Sequence, residues 1–141
     1  MKKELQDKLY EKYPKLYAQK DLDMTQTAMC WGIACGDGWY NIIDNLSQVI
    51  QDRSDWLNGE GLHVYRDLPE DHVKESIEAV QVKEKWGGLR FYIYGGDEFI
   101  EGAIALAESL SYRICSVCSA KKTSGKRISL CLRCQDNRLA R

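Results

Sequence analysis

The chain reads as an α+β protein: helices packed on a small antiparallel β-hairpin or sheet, with a C-terminal four-cysteine finger of zinc-ribbon or treble-clef-like type. Three observations predict this. Apolar residues recur at three- and four-residue spacing in three stretches, an alternating stretch folds back at Gly87-Gly88, and two Cys-x-x-Cys pairs lie near the C-terminal end. The 141 residues suit one domain with a small appendage, burying roughly two-thirds of the surface that an unfolded chain exposes. A hydrophobic fraction of 44% with 29% charged residues excludes a disordered or collagen-like chain. Apolar runs of a few residues fall far short of the roughly 20 that span a bilayer. Residues 1–6 lead into charge rather than an apolar signal segment. The expected location is the cytoplasm.

Residues 2–20 place Leu5, Leu9, Tyr13, Leu16 and Tyr17 on one face of an amphipathic helix. Tyr13-Pro14 interrupts it, because proline disfavours helix at the residue before it. Residues 21–38 read as a loop in which Gly32, Gly36 and Gly38 mark tight turns or close backbone approach. Asp37 is placed to cap a helix over residues 39–57. Ile42, Ile43, Leu46, Val49, Ile50 and Leu57 form that helix's core stripe, and Asn58-Gly59 ends it. Pro69 opens a short helix, with Glu70 and Asp71 favouring its N-terminus.

Residues 80–94 form a hairpin. A Gly87-Gly88 turn pairs Trp86 with Leu89, Glu84 with Phe91 and Val82 with Ile93. One face then carries Val80, Val82, Trp86, Leu89, Phe91 and Ile93, with Glu84 the polar intruder. The other carries Gln81, Lys83, Lys85, Arg90, Tyr92 and Tyr94. Asp97 caps a last core helix, to about Tyr112, that turns Phe99, Ile100, Ala103, Ile104, Ala107 and Leu110 inward.

The chemistry sits in the tail. Cys115-Ser116-Val117-Cys118 and Cys131-Leu132-Arg133-Cys134 have the two-residue spacing that aims both sulfurs of a tight turn at one ion. Four thiolates leave no open coordination position, so the expected cofactor is a structural Zn2+ at Cys115, Cys118, Cys131 and Cys134. Iron in the same cage and a pair of disulfides are the alternatives. Ser119 and Gln135 stand where a glycine often follows the second thiol of a knuckle. Residues 128–130 read as a short strand and 135–141 as a helix. Cys30 and Cys35 are four residues apart and read first as buried thiols, with a second metal site or a redox pair as alternatives.

Charge divides the chain. Residues 1–112 carry 12 Lys/Arg against 20 Asp/Glu, and residues 113–141 carry 8 Lys/Arg against Asp136 alone. This suggests an acidic body and a basic finger with different partners. Metal-bound thiolates cancel part of the positive charge. Lys122, Lys126 and Arg127 of the finger, and Lys83, Lys85, Arg90 and Tyr92 of the hairpin, combine cations with an aromatic plane as phosphate contact and base stacking require. Lys85 and Arg90, read as opposed across the strands, would repel unless an anion lay between them. Phosphate-loop, nucleophile-elbow, zinc-protease and dinucleotide fingerprints are missing from the sequence. His63 and His72 lack a local catalytic pattern, and Glu84 reads as a paired or rim residue rather than a cleft acid. The expectation is that the chain is not an enzyme.

Cys35-Gly36-Asp37-Gly38-Trp39, the stretch Val82 to Tyr92 containing KEKWGGLRFY, the following helix and the two Cys-x-x-Cys pairs together resemble a family of small bacteriophage and prophage proteins. The resemblance covers roughly residues 28–136, with Trp86 where phenylalanine is more usual. It implies a phage setting, and so the host cytoplasm, and supplies no mechanism. Small cofactor-free phage proteins commonly block host complexes. The expected function is therefore a zinc-binding interaction protein, a host-takeover or anti-defence factor whose partner is a host protein or protein complex. The alternative is a nucleic-acid or nucleotide binding module that uses the basic finger and the Lys83, Lys85, Arg90 and Tyr92 face. A small enzyme is the third reading.

Overall fold

The computed structural model describes residues 1–61, 68–123 and 127–140. In chain order these form α1 (Lys3–Lys12), β1 (Ile33–Ala34), α2 (Tyr40–Leu57), β2 (Glu78–Lys85), β3 (Gly88–Tyr94), α3 (Glu98–Ser111) and α4 (Leu132–Leu139), with short 3-10 turns between α1 and α2. The strands make one mixed sheet in the order β1-β2-β3, with β1 parallel to β2 and β3 antiparallel to it. α2 packs on α3, which runs along β3. The class is α+β, as the sequence predicts.

Periodicity places the helices and most of their buried positions. α1 stops at Lys12, just before Tyr13-Pro14, and the chain turns so that Leu9, Tyr13, Leu16 and Tyr17 all reach the core. Their polar tips find partners, as buried hydroxyls must. The Tyr13 hydroxyl donates to Asp44 Oδ1 at 2.7 Å, and Tyr17 shares a 2.8 Å bond with Ser47. α2 contributes Ile43, Leu46 and Ile50 to the core, and α3 contributes Ile100 and Ala107.

The hairpin differs from expectation in its turn. Trp86 (φ 52°) and Gly87 (φ 81°) are the two turn residues, so Lys85 pairs with Gly88, Glu84 with Leu89 and Val82 with Phe91. Gly88 lies in the strand against the Tyr112 ring, where a Cβ would stand 2.5 Å from it and a larger residue would not fit. Glu84, exposed, closes the turn by accepting the Gly87 N–H at 2.7 Å. The pairing slides by two residues in all, which preserves the side-chain alternation. Val82, Leu89 and Phe91 are therefore buried as expected, while Trp86 moves out to the tip at 72% exposure. A bulge at Val80 turns Ala79 inward in its place. Arg90 lies opposite Lys83 rather than Lys85.

Other expectations need correction. The 21–38 segment supplies the edge strand β1. Asp37 accepts the Lys2 N–H at 2.7 Å instead of capping α2. Pro69 starts only a turn, with His72 N–H donating to its carbonyl at 3.0 Å. Phe99 and Leu110 are exposed on α3 rather than inward. Residues 128–130 are not a strand, and α4 begins at Leu132 rather than Gln135. His63 and Lys126 lie outside the described residues.

Open strand edges invite pairing with other chains. Here the outer edge of β3 is satisfied by α3, whose Ser111 Oγ accepts the Leu89 N–H at 2.8 Å and Glu108 Oε1 the Phe91 N–H at 3.1 Å. On the other side of β2, beyond the short β1, Ala79 N–H donates to Leu16 at 2.7 Å and Val80 accepts from Thr27 at 3.3 Å.

Candidate metal centre and interaction face

The first cysteine pair lies on a tight knuckle. Cys115 N–H donates to the Ala120 carbonyl at 2.8 Å, Ser119 N–H donates back to Cys115 at 3.1 Å, and Ile114 bridges Lys121. Ser119 has φ 62°, so the residue in glycine's usual place adopts glycine's backbone conformation. The second pair comes from the start of α4, where Cys131 is the N-cap residue and Cys134 sits in the first turn. A knuckle facing a helix start is the arrangement of a treble-clef-like finger.

These two pieces bring all four sulfurs within 4.8 Å of one another, with Cys118 and Cys131 Sγ 3.6 Å apart. A tetrahedron built on metal–sulfur bonds of about 2.3 Å has edges of about 3.8 Å, so the donor set fits one ion. None of the six cysteines is in a disulfide. Burial pushes the Cys115 thiol up, but N–H groups of Cys118, Cys131 and Val117 directed at its sulfur outweigh burial and bring it down to about 6. Cys134 is pushed up to about 12, first by its hydrogen bond with Cys118 and then by burial. Sulfurs this close cannot all ionise unless a cation lies among them. The cluster can hold a metal ion.

The finger is joined to the body by the Cys35-Gly36-Asp37-Gly38-Trp39 segment. Gly38 N–H donates to Ser116 at 2.8 Å, Ser119 Oγ donates to the Gly38 carbonyl at 2.8 Å, and the buried Trp39 indole donates to Ile114 at 2.9 Å. A Cβ at Gly36 would stand 2.0 Å from the Ser116 carbonyl, and one at Gly38 would stand 2.4 Å from that of Cys115. These glycines permit backbone-to-backbone approach at the cysteine knuckle. Their density in the sequence signals close approach, but nothing in the sequence names the partner surface. Cys35 is buried in the core, where burial pushes its thiol up to about 12, and Cys30 is half-buried on a 3-10 turn.

The candidate binding residues divide into engaged and open. Arg90 donates to Tyr112 Oη at 2.8 Å and to its neighbour's carbonyl at 2.6 Å, with Glu108 3.8 Å away. Lys122 is buried, its ammonium donates to the Ile128 carbonyl, and burial lowers its affinity for the proton. Both hold structure together. Lys83 is half-buried, Tyr92 and Arg127 are exposed, and Lys85 Nζ lies 4.7 Å from the Trp86 ring centre. Lys83 and Tyr92 share the outer face of the hairpin as diagonal neighbours. Trp86, expected on the inner face of the hairpin, is instead exposed at its tip. A Lys-Trp-Gly-Gly run allows two turn placements; in the one adopted, the Tyr112 ring lies against Gly88, where a Cβ would stand 2.5 Å from it.

Among the described residues no helix is long and apolar enough to cross a membrane. Comparison with family models, curated proteins and solved structures finds no match to this chain.

Proposed function

We propose that the chain is a zinc-stabilised, non-enzymatic interaction protein of phage type that binds a host protein complex as a takeover or anti-defence factor. Zinc is the ion that best suits a closed four-thiolate cage, and a closed cage makes its role structural. The single observation that carries the interaction reading is Trp86. It occupies the first position of a turn that requires positive φ, where asparagine, aspartate or glycine is favoured. Holding an ordinary residue there costs about 1 kcal/mol, and the ring is left 72% exposed, with the Lys85 ammonium 4.7 Å from its centre. A strained, exposed tryptophan serves contact with something outside the chain. The acidic body and the internal engagement of Arg90 and Lys122 favour a protein partner over phosphate.

The test is Trp86→Asn, examined for stability and for partner capture from host lysate with and without nuclease. Asparagine tolerates the turn, so the variant should be about 1 kcal/mol more stable and should lose its partner. Retention of the partner by Trp86→Asn would contradict the reading.

A nucleic-acid partner is the second reading, supported by Lys83 and Tyr92 as diagonal neighbours beside Lys85 and Trp86. It predicts release by nuclease, steep weakening with salt, and loss of binding when Lys83 and Lys85 become glutamate.

A further inference from the structure

We propose that the outward face of α3 is a self-association surface, on which two copies of this chain cross antiparallel with Leu106 of each seated on Gly102 of the other. Phe99, Leu106 and Leu110 stand 56%, 62% and 44% exposed on this helix, at spacings that place them on one side. Gly102 lies among them, and a Cβ built there meets nothing within 4 Å. The chain's own packing therefore does not require glycine in mid-helix, where it is destabilising relative to alanine. A close approach from outside does.

The occupant follows from symmetry and charge. In a two-fold contact, residue i meets j and j meets i. A protruding leucine and a bare backbone four residues apart, one helical turn, are complementary to their own copy with the axis at the level of Ile104. That crossing sets Phe99 of one copy level with residue 109 of the other. There it borders the groove of about 520 Å³ between α2 and α3, lined by Leu46, Val49, Leu106, Leu110 and Ile114. The N-terminal end of α3 carries Glu98 and Glu101, and the helix holds no basic residue. Just past its C-terminal end, Arg113 is exposed, with no side-chain partner among the described residues. An antiparallel crossing brings Arg113 of one copy towards Glu98 of the other, whereas a parallel one sets Glu98 against Glu98. A 14-residue helix is about 21 Å long, so the contact is small and the dimer should be of micromolar affinity.

The full metal-loaded chain is studied by sedimentation from about 1 μM to about 500 μM, the range that brackets such a constant. The wild type should pass from monomer to dimer. Leu106→Glu should remain monomeric throughout with unchanged thermal unfolding in dilute solution, because the side chain lies outside the core. Gly102→Ala should raise the stability of the dilute monomer, yet weaken the dimer at least about tenfold. Glu98→Arg and Arg113→Glu should each weaken the dimer, and together restore it. A wild type that is monomeric at every concentration overturns the proposal. So does a dimer indifferent to Leu106→Glu and Gly102→Ala, and failure of the charge swap to rescue overturns the antiparallel crossing. Trp86 lies outside this surface, so either result leaves the host-partner reading to its own test.

Discussion

The body and the finger are folded by different physics. Among the described residues, every member of the buried apolar core comes from residues 9–107, and it includes Leu9, Tyr17, Trp39, Ile43, Ile50, Val82, Leu89 and Ile100. Among its described residues the finger has no such cluster, and those that are buried are Cys115, Ser116, Lys122 and Cys131. The body is stabilised by removing side chains from water. The finger instead has the backbone joint to Gly36, Gly38 and Trp39 and a cysteine cluster that can hold a metal ion. A region of this size can dispense with a core only where an ion and a neighbouring surface replace it.

The largest expected effect separates the two regions. Cys118→Ser, or chelation of the metal, removes the folding free energy that metal binding supplies, about 10 kcal/mol or more in small fingers. Hydrogen exchange should then show residues 115–122 and 132–139 losing protection while α2, β2 and β3 keep theirs. Uniform loss across both regions would mean that the finger also carries the body.

Gly38→Ala attacks the joint. Its Cβ would meet Cys115 and Ser119 backbone atoms at 2.4 and 2.8 Å, and backbone on both sides cannot yield as a side-chain end can. Overpacking of this kind costs about 3 kcal/mol. Metal affinity should fall together with thermal stability, and an unchanged metal affinity would show that the joint is passive.

Trp39→Phe is milder. The ring remains packed but the Ile114 carbonyl loses its 2.9 Å donor, for an expected loss of about 1 kcal/mol. Calorimetry of the loaded protein measures it.

Acid should resolve the regions in pH with the smallest change in the body. Lys15 at 2.7 Å, joined by Lys74, holds the half-buried Glu60 carboxyl at about 2, below its ordinary 4.5. A carboxyl depressed on folding contributes stability that is fully present above about 4.5 and lost as the pH falls towards 2. Protons compete with the metal for thiolates at higher pH, so metal release should precede the body's acid transition. Glu60→Gln should shift only the second step.

The sequence made the helices, the hairpin and the ligand set legible because each follows from local spacing: 3.6-residue stripes, alternation, and paired Cys-x-x-Cys. What it left open depends on long-range contact. The turn lies at Trp86-Gly87, and Tyr112, 24 residues along the chain from Gly88, packs against it, a contact that no hairpin rule contains. β1 exists because the glycine-rich loop returns beside Val82 and Lys83. Lys122 looks like a surface cation among Lys121, Lys126 and Arg127, yet its ammonium spans the finger to Ile128. Charge composition counts such a residue but cannot see its partner. Phe99 and Leu110 satisfy the helical pattern of a core face and still point out, because the buried arc of α3 centres on Ile100, Ala107 and Ser111.

A finger folded by metal and a body folded by burial must respond differently to chelation. The most direct measurement is elemental analysis of protein purified without added metal, combined with hydrogen exchange before and after chelation. The expected result is one zinc per chain at Cys115, Cys118, Cys131 and Cys134, and selective loss of protection in the finger when it is removed. A chain that carries no metal and still protects residues 115–122 and 132–139 would contradict it.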